Sequence, residues 1–377
     1  MDNYNNMGNY NNMNNMNNYN YAPMNNMQNP PPKKKKGAKI FLIIFTIVAI
    51  IGLIVAGAGF AVIGFDINNL AWATETDIIR NTFVVEDNVT AITTDLHHNQ
   101  VNIVRGESFG VSYPSSQDFK NSMDIAFNVQ NGVLSITDIA AGSFNLGIQL
   151  PVLSRLSGNV LQITITIPYE FAGDINIRTR NNQIRANDIG NLNVLRLVTS
   201  NSSIIVSNGS VPTGLNLQTS NGTIIIRNFQ ANSLIATTSN APITVEGFVS
   251  PYTVYIRTTN GNVTANNIET SRTLTIRSSN GAVQLGNSTA DRVEINTSNR
   301  AVVMSSVRAH GYVLRTSNSN ITIISSHHRH HYNFYLRTSN NNVLIGGAIS
   351  GRSHQSSGGQ ALLDARTSNG VITVSFI

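Results

Sequence analysis

The chain has 377 residues, a formal net charge of +6, 12% charged residues, 7% aromatics and no cysteine. A length of 377 with 41% apolar residues admits two or three ordinary domains or one long repetitive one, and excludes a chain disordered throughout. Lack of cysteine excludes a disulfide framework, a thiolate metal site and a cysteine nucleophile.

Charge divides the chain into unlike parts: residues 1–70 sum to +3, 71–170 to −6 and 171–377 to +9. Within the first 30 residues stand fourteen Asn, six Met and four Tyr. Such a tract has too little apolar surface to offset its ordering entropy, so residues 1–39 are expected to be a disordered tail. Asn-rich sequence with spaced tyrosines is also the composition of self-associating tails. Lys33 to Lys36 and Lys39 close the tail with a basic block.

Residues 40–65 carry no charge over 26 positions. At 1.5 Å per residue a helix of that length exceeds the hydrocarbon core of about 30 Å, so a single transmembrane helix is expected. The run is too long for a secretory leader, and its basic flank places the N-terminus in the cytosol. Residues 66–82 then read as a juxtamembrane linker, and the rest of the chain as an extracytosolic domain of a single-pass membrane protein.

The segment 83–170 holds irregular alternating runs and reads as an N-terminal β part that caps the regular repeats. From 171 to 377 a Thr-Ser-Asn triplet recurs. Its asparagines are Asn201, Asn221, Asn240, Asn260, Asn280, Asn299, Asn318, Asn340 and Asn369, after a degenerate copy at Asn181. Spacing is 19 or 20 residues until the last two gaps, of 22 and 29, which place insertions at Ser325–His331 and Ile349–Gln360. Apolar residues alternate on both sides of each triplet, as in Leu274 and Ile276 before Ser278 and Val283 and Leu285 after it. That period marks strands. The residue after the Asn is sometimes Gly, but also Ala241 or Arg300, which resist the positive φ of a tight hairpin turn. Identical amides stacked about 4.8 Å apart gain from an Asn ladder instead. The expectation is an all-β, single-domain β-solenoid of coils about 20 residues long.

The order of a weakly repeated first part, a strand ending in Ile163, Ile165, Ile167 and Pro168, and units of the type L-x-I-x-T-S-N-G-x-I-x-I resembles the adhesin β-solenoid domains of bacterial envelope proteins, over residues 85–377. The resemblance implies a surface location and an adhesion-like role, and brings no catalytic residues. The Asn-rich tail stands outside that pattern and suggests a eukaryotic host.

Acids in the repeats, Asp188, Glu246 and Glu269 among them, share no column that would bring two carboxylates together for glycoside hydrolysis. With no phosphate loop or nucleophile elbow either, no enzyme activity and no cofactor are expected. His327, His328, His330 and His331 flank Arg329; without Cys or acid nearby they read as a solvated loop, not a metal site. Among the sequons, Asn208 and Asn287 are candidates for glycosylation, while Asn201 and Asn221 belong to the repeated corner.

Arg178, Arg257, Arg277, Arg315, Arg337 and Arg366 each precede the Thr or Ser of a unit, so alternation turns them outward. This stripe suits bidentate contacts to an anionic polymer. The function expected is a membrane-anchored surface binding module that contacts acidic polysaccharide or cell-surface components, with the lipid bilayer as a second partner and no nucleic acid. The competing expectation is a structural or assembly protein, a homo-oligomer joined through the Asn-rich tail or an uncapped C-terminal coil ending at Ile377.

Overall fold

A computed structural model describes residues 79–85, 88–115, 125–138 and 162–377. The chain divides into two units, 1–71 and 72–377, and every described residue lies in the second. The expected tail, the span at 40–65 and most of the linker lie outside the described residues.

Alternation builds the molecule. In the strand Thr273–Arg277, Leu274 and Ile276 are fully buried while Arg277 faces out. The strand Val283–Gly286 buries Val283 and Leu285 in the same way. Each coil contributes such a pair, and coil after coil stacks in parallel register, as Val254↔Leu274 and Thr275↔Glu294 on one face and Val263↔Val283 and Gln284↔Val303 on the other. The β-solenoid expected from the repeat is the fold that forms. One continuous core of Ile, Leu and Val columns runs along its axis, each side chain contributing about 1.5–3 kcal/mol by its burial.

Two corners separate the faces. At the first stand the Thr-Ser-Asn triplets. At the second the backbone turns through the left-handed region at Asp188, Asn208, Asn228, Gly247, Asn267, Asn287 and Ser306. Asn, Asp and Gly tolerate that conformation best. Beyond this corner a short third side packs Phe229 and Phe248 inward.

Chain order and layer order part company at both ends. Near the C-terminus, Ala361–Thr367 pairs on one side with Gly311–Arg315 and on the other with Tyr332–Thr338. Ile372–Phe376 likewise lies between Ile321–Ser325 and Val343–Ile345. The last coil of the chain is therefore the last but one of the stack. Tyr332–Ile345 forms the terminal layer, partly covered by two antiparallel strands, Ala348–Ile349 and Ser353–Gln355. Near the other end, Ala91–Asp95 and Gln100–Gly106 lie between the coil of Asp174–Arg178 and Ile184–Asn187 and the outer strands Val133–Asp138 and Gln162–Pro168. Ile125–Gln130, Gly110–Ser115 and Ile79–Val84 add antiparallel strands there.

Two expectations are corrected. The C-terminal coil is not uncapped: the insertion placed from sequence at Ile349–Gln360 lets the chain turn back and bury its last strands between two layers. Assembly through a bare final edge is thereby removed. A single-pass membrane placement with a cytosolic N-terminus is not supported either, because among the described residues no helix is long and apolar enough to cross a membrane.

Candidate functional site

The first corner is held by two sets of hydrogen bonds. Each repeated Asn donates from Nδ2 to Oδ1 of the Asn one layer back: Asn221 to Asn201, Asn260 to Asn240 and Asn280 to Asn260, each at 2.7 Å. The ladder follows the layers, not the sequence, since Asn369 donates to Asn318 at 2.8 Å and Asn340 to Asn369 at 2.6 Å. Asn181, Asn299 and the rest take their expected rungs. Beneath the amides the Thr hydroxyls are buried; Thr219 donates to the carbonyl of Ser202 and accepts from the amide of Gly222, both at 3.1 Å. Gly222 is required there, because a Cβ would lie 1.5 Å from the Ser202 carbonyl oxygen.

Outside the Thr column lies the Arg column. Its register runs Arg257, Arg277, Asn296, Arg315, Arg366 and Arg337 over consecutive layers. Arg178 stands apart at the N-terminal end, 4.0 Å from Asp95, with three non-arginine layers between it and Arg257. The interleaved coil thus places Arg366 between Arg315 and Arg337, an order that sequence spacing does not show.

These three guanidinium groups line a groove of about 460 Å³ with Thr316, Ser317, Ser339 and Ser368. A second depression, of about 580 Å³, shares Arg337, Ser339 and Arg366 and adds Tyr335 and Arg352. One acid counters them. Asp364, half-buried two residues before Arg366, accepts from Arg315 and pairs with Arg366 at 3.0 Å. Arg366 also lies over the Tyr335 ring, 5.9 Å from its centroid. Among the described residues Arg337, Arg257 and Arg277 form no ion pair. Over residues 301–377 the chain has six Arg, six His and Asp364 as its single acid.

The histidine insertion sits at this same end. His327 and His331 stack with ring centroids 4.3 Å apart, and His331 meets Tyr332 edge-on at 5.1 Å. Burial holds the His331 imidazole below its ordinary pKa, with His327 and His310 adding to the effect. His354 is lowered in the same direction, first by burial and then by Arg329. Among the described residues no three metal-ligating groups converge. Asn208 and Asn287 are exposed at the left-handed corner. Asn201 and Asn221 are exposed too, so it is the ladder, not inward packing, that engages their Nδ2 atoms.

Comparison with known proteins agrees with this architecture over part of the chain. The Toastrack DUF4097 family matches residues 250–377. No curated protein matches the chain. Solved structures with similarity include a putative adhesin from Parabacteroides merdae, at 11% identity, covering 79% of this chain and 96% of that one with a TM-score of 0.44. A putative lipid binding protein from Parabacteroides distasonis is 12% identical, with 80% and 97% covered and a TM-score of 0.45. A putative cell adhesion protein from Clostridium sporogenes is 10% identical, with 80% and 100% covered and a TM-score of 0.25. The repeat region thus shares a family match with Toastrack domains over residues 250–377.

Proposed function

We propose that this β-solenoid is a binding module, not an enzyme, and that the groove at Arg315, Arg366 and Arg337 takes a linear polyanion, an acidic polysaccharide above all. The observation that carries this reading is the placement of Arg366 between the other two, with Asp364 as the one counter-charge. A face that only kept the sheet solvated would gain more from mixed signs, since like charges on adjacent layers repel. Guanidinium forks on layers about 4.8 Å apart instead meet carboxylate or sulfate groups that recur along an extended chain. The Ser and Thr hydroxyls beside them offer donors and acceptors for sugar hydroxyls. Nucleic acid fits less well, because Tyr335 is the single Phe, Tyr or Trp lining the two depressions and successive bases need successive platforms.

Changing Arg315, Arg337 and Arg366 together to Gln is expected to abolish most binding to sulfated or carboxylated polysaccharide at low salt while circular dichroism stays unchanged. Parent binding should weaken steeply as salt rises and the Debye length falls to about 8 Å at physiological strength. A triple variant that binds like the parent would overturn the reading.

A further inference from the structure

Residues 361–377 fill a layer that the chain has already passed. From Ile321–Ser325 it skips one layer height, lays down Tyr332–Thr338 and Val343–Ile345, and returns to place Ala361–Thr367 and Ile372–Phe376 in the gap. Until that segment arrives, the gap has parallel sheet edges on both sides, and open edges are templates for any strand of matching pattern. The pattern is specific. Leu363, Ala365, Ile372 and Val374 point inward with 0% exposure, and Asn369 completes the rung between Asn318 and Asn340.

Everything the segment recognises is carried by the two flanking layers, which every copy of the chain possesses. Its tether, 346–360, contains Gly346, Gly347, Gly351 and Gly358 at positive φ, each with nothing within 4 Å of where a Cβ would stand. Within it Ala348–Ile349 and Ser353–Gln355 pair with the chain's own terminal layer, so the redirection falls on residues 356–360, where Gly358 supplies the backbone freedom and the contacts of Gly359 with Asn333 must be given up.

We propose that the C-terminal coil is an exchangeable insert and that two copies of this chain form a dimer by each lodging Ala361–Phe376 in the other's gap. This inference does not rest on the anion-groove reading, although exchange would complete each groove with the partner copy's Arg366. Exchange adds no new contact; it swaps identical ones, which makes it a low-cost route to a dimer. The tether gives a chain's own segment a high effective concentration, so the monomer forms in dilute conditions and exchange occurs while neighbouring chains are still folding. Once lodged, the segment leaves only by breaking both parallel ladders, so the dimer persists on dilution.

The chain has no cysteine, so introduced thiols report without background. Thr322 at the gap's edge and Thr373 in the segment that fills it are register partners, away from the arginines. One full-length chain carrying Thr322→Cys and another carrying Thr373→Cys, with different tags, are co-expressed in one cell, purified through both tags and oxidised. A chain with both substitutions controls for bond formation. The expected result is a mixed disulfide after co-expression and none after mixing separately folded chains. Absence of the mixed disulfide while the double variant closes its own would overturn the proposal, as would equal yields from co-expression and mixing. The unsubstituted chain gives a second readout by light scattering: a dimer that survives dilution is expected, and a monomer at every concentration would overturn it.

Discussion

Thr258 donates its hydroxyl proton to the carbonyl of Ala241 and accepts the amide of Gly261, both at 3.1 Å, at 2% exposure. Thr258→Val keeps the shape but strands a buried N–H and a carbonyl, so a loss of about 1–3 kcal/mol is expected. Urea unfolding followed by fluorescence and hydrogen exchange at Val263 checks it; an unchanged midpoint would show that water replaces the hydroxyl. Asn260 is the exposed counterpart, accepting from Asn280 and donating to Asn240. Asn260→Asp keeps the acceptor and loses the donor, so a smaller cost, near 1 kcal/mol, is expected by the same measurement. The Thr and Asn columns were legible in the sequence because their spacing repeats. Asp364 was not: its role depends on standing beside Arg315, 49 residues away in the chain, and no local pattern encodes that pairing. The left-handed corner was half visible, since Asn208, Asn228, Asn267 and Asn287 recur there, but Asp188, Gly247 and Ser306 break the column.

At the scale of the element, the interleaved coil makes a geometric claim. Thr373 has Thr322 on one side and Leu344 on the other. Thr322 and Leu344 are thus two layers apart, beyond the roughly 7 Å that a disulfide spans between Cα atoms. Cysteines at 322 and 373 are expected to cross-link, within one chain in a monomer and between chains in an exchanged dimer, and cysteines at 322 and 344 are not; mass spectrometry of the oxidised proteins distinguishes the two pairs. Strand identity was readable from alternation, which is a local property. Layer order was not, because units 311–325, 332–345 and 361–377 carry the same inward pattern and the same Asn. What decides among them is which unit bears the antiparallel strands Ala348–Ile349 and Ser353–Gln355, and only a capped unit tolerates the end position.

For the whole molecule, pH acts on the C-terminal end first. His331 and His354 are held below the ordinary histidine value of about 6.5, chiefly by burial. The unfolded chain therefore binds more protons in the window below that value, so stability is full above it and falls as pH drops through the lowered folded values. Protection of Tyr332–Thr338 from hydrogen exchange is expected to decrease between neutral and acid pH while Val263–Thr270 holds. His331→Gln with His354→Gln should flatten the difference, and an equal loss of protection at both places would assign the effect elsewhere.

All rungs of the amide ladder point one way, each Nδ2 toward the N-terminal end of the stack and each Oδ1 toward the C-terminal end. Head-to-tail amides polarise one another, so the column is a line of aligned side-chain dipoles laid parallel to the solenoid axis. Its positive pole meets Nδ1 of His98, to which Asn181 donates at 3.4 Å. Its negative pole emerges at Asn340, in the layer that bears Arg337, and the ladder itself thereby favours cationic side chains at that end of the molecule.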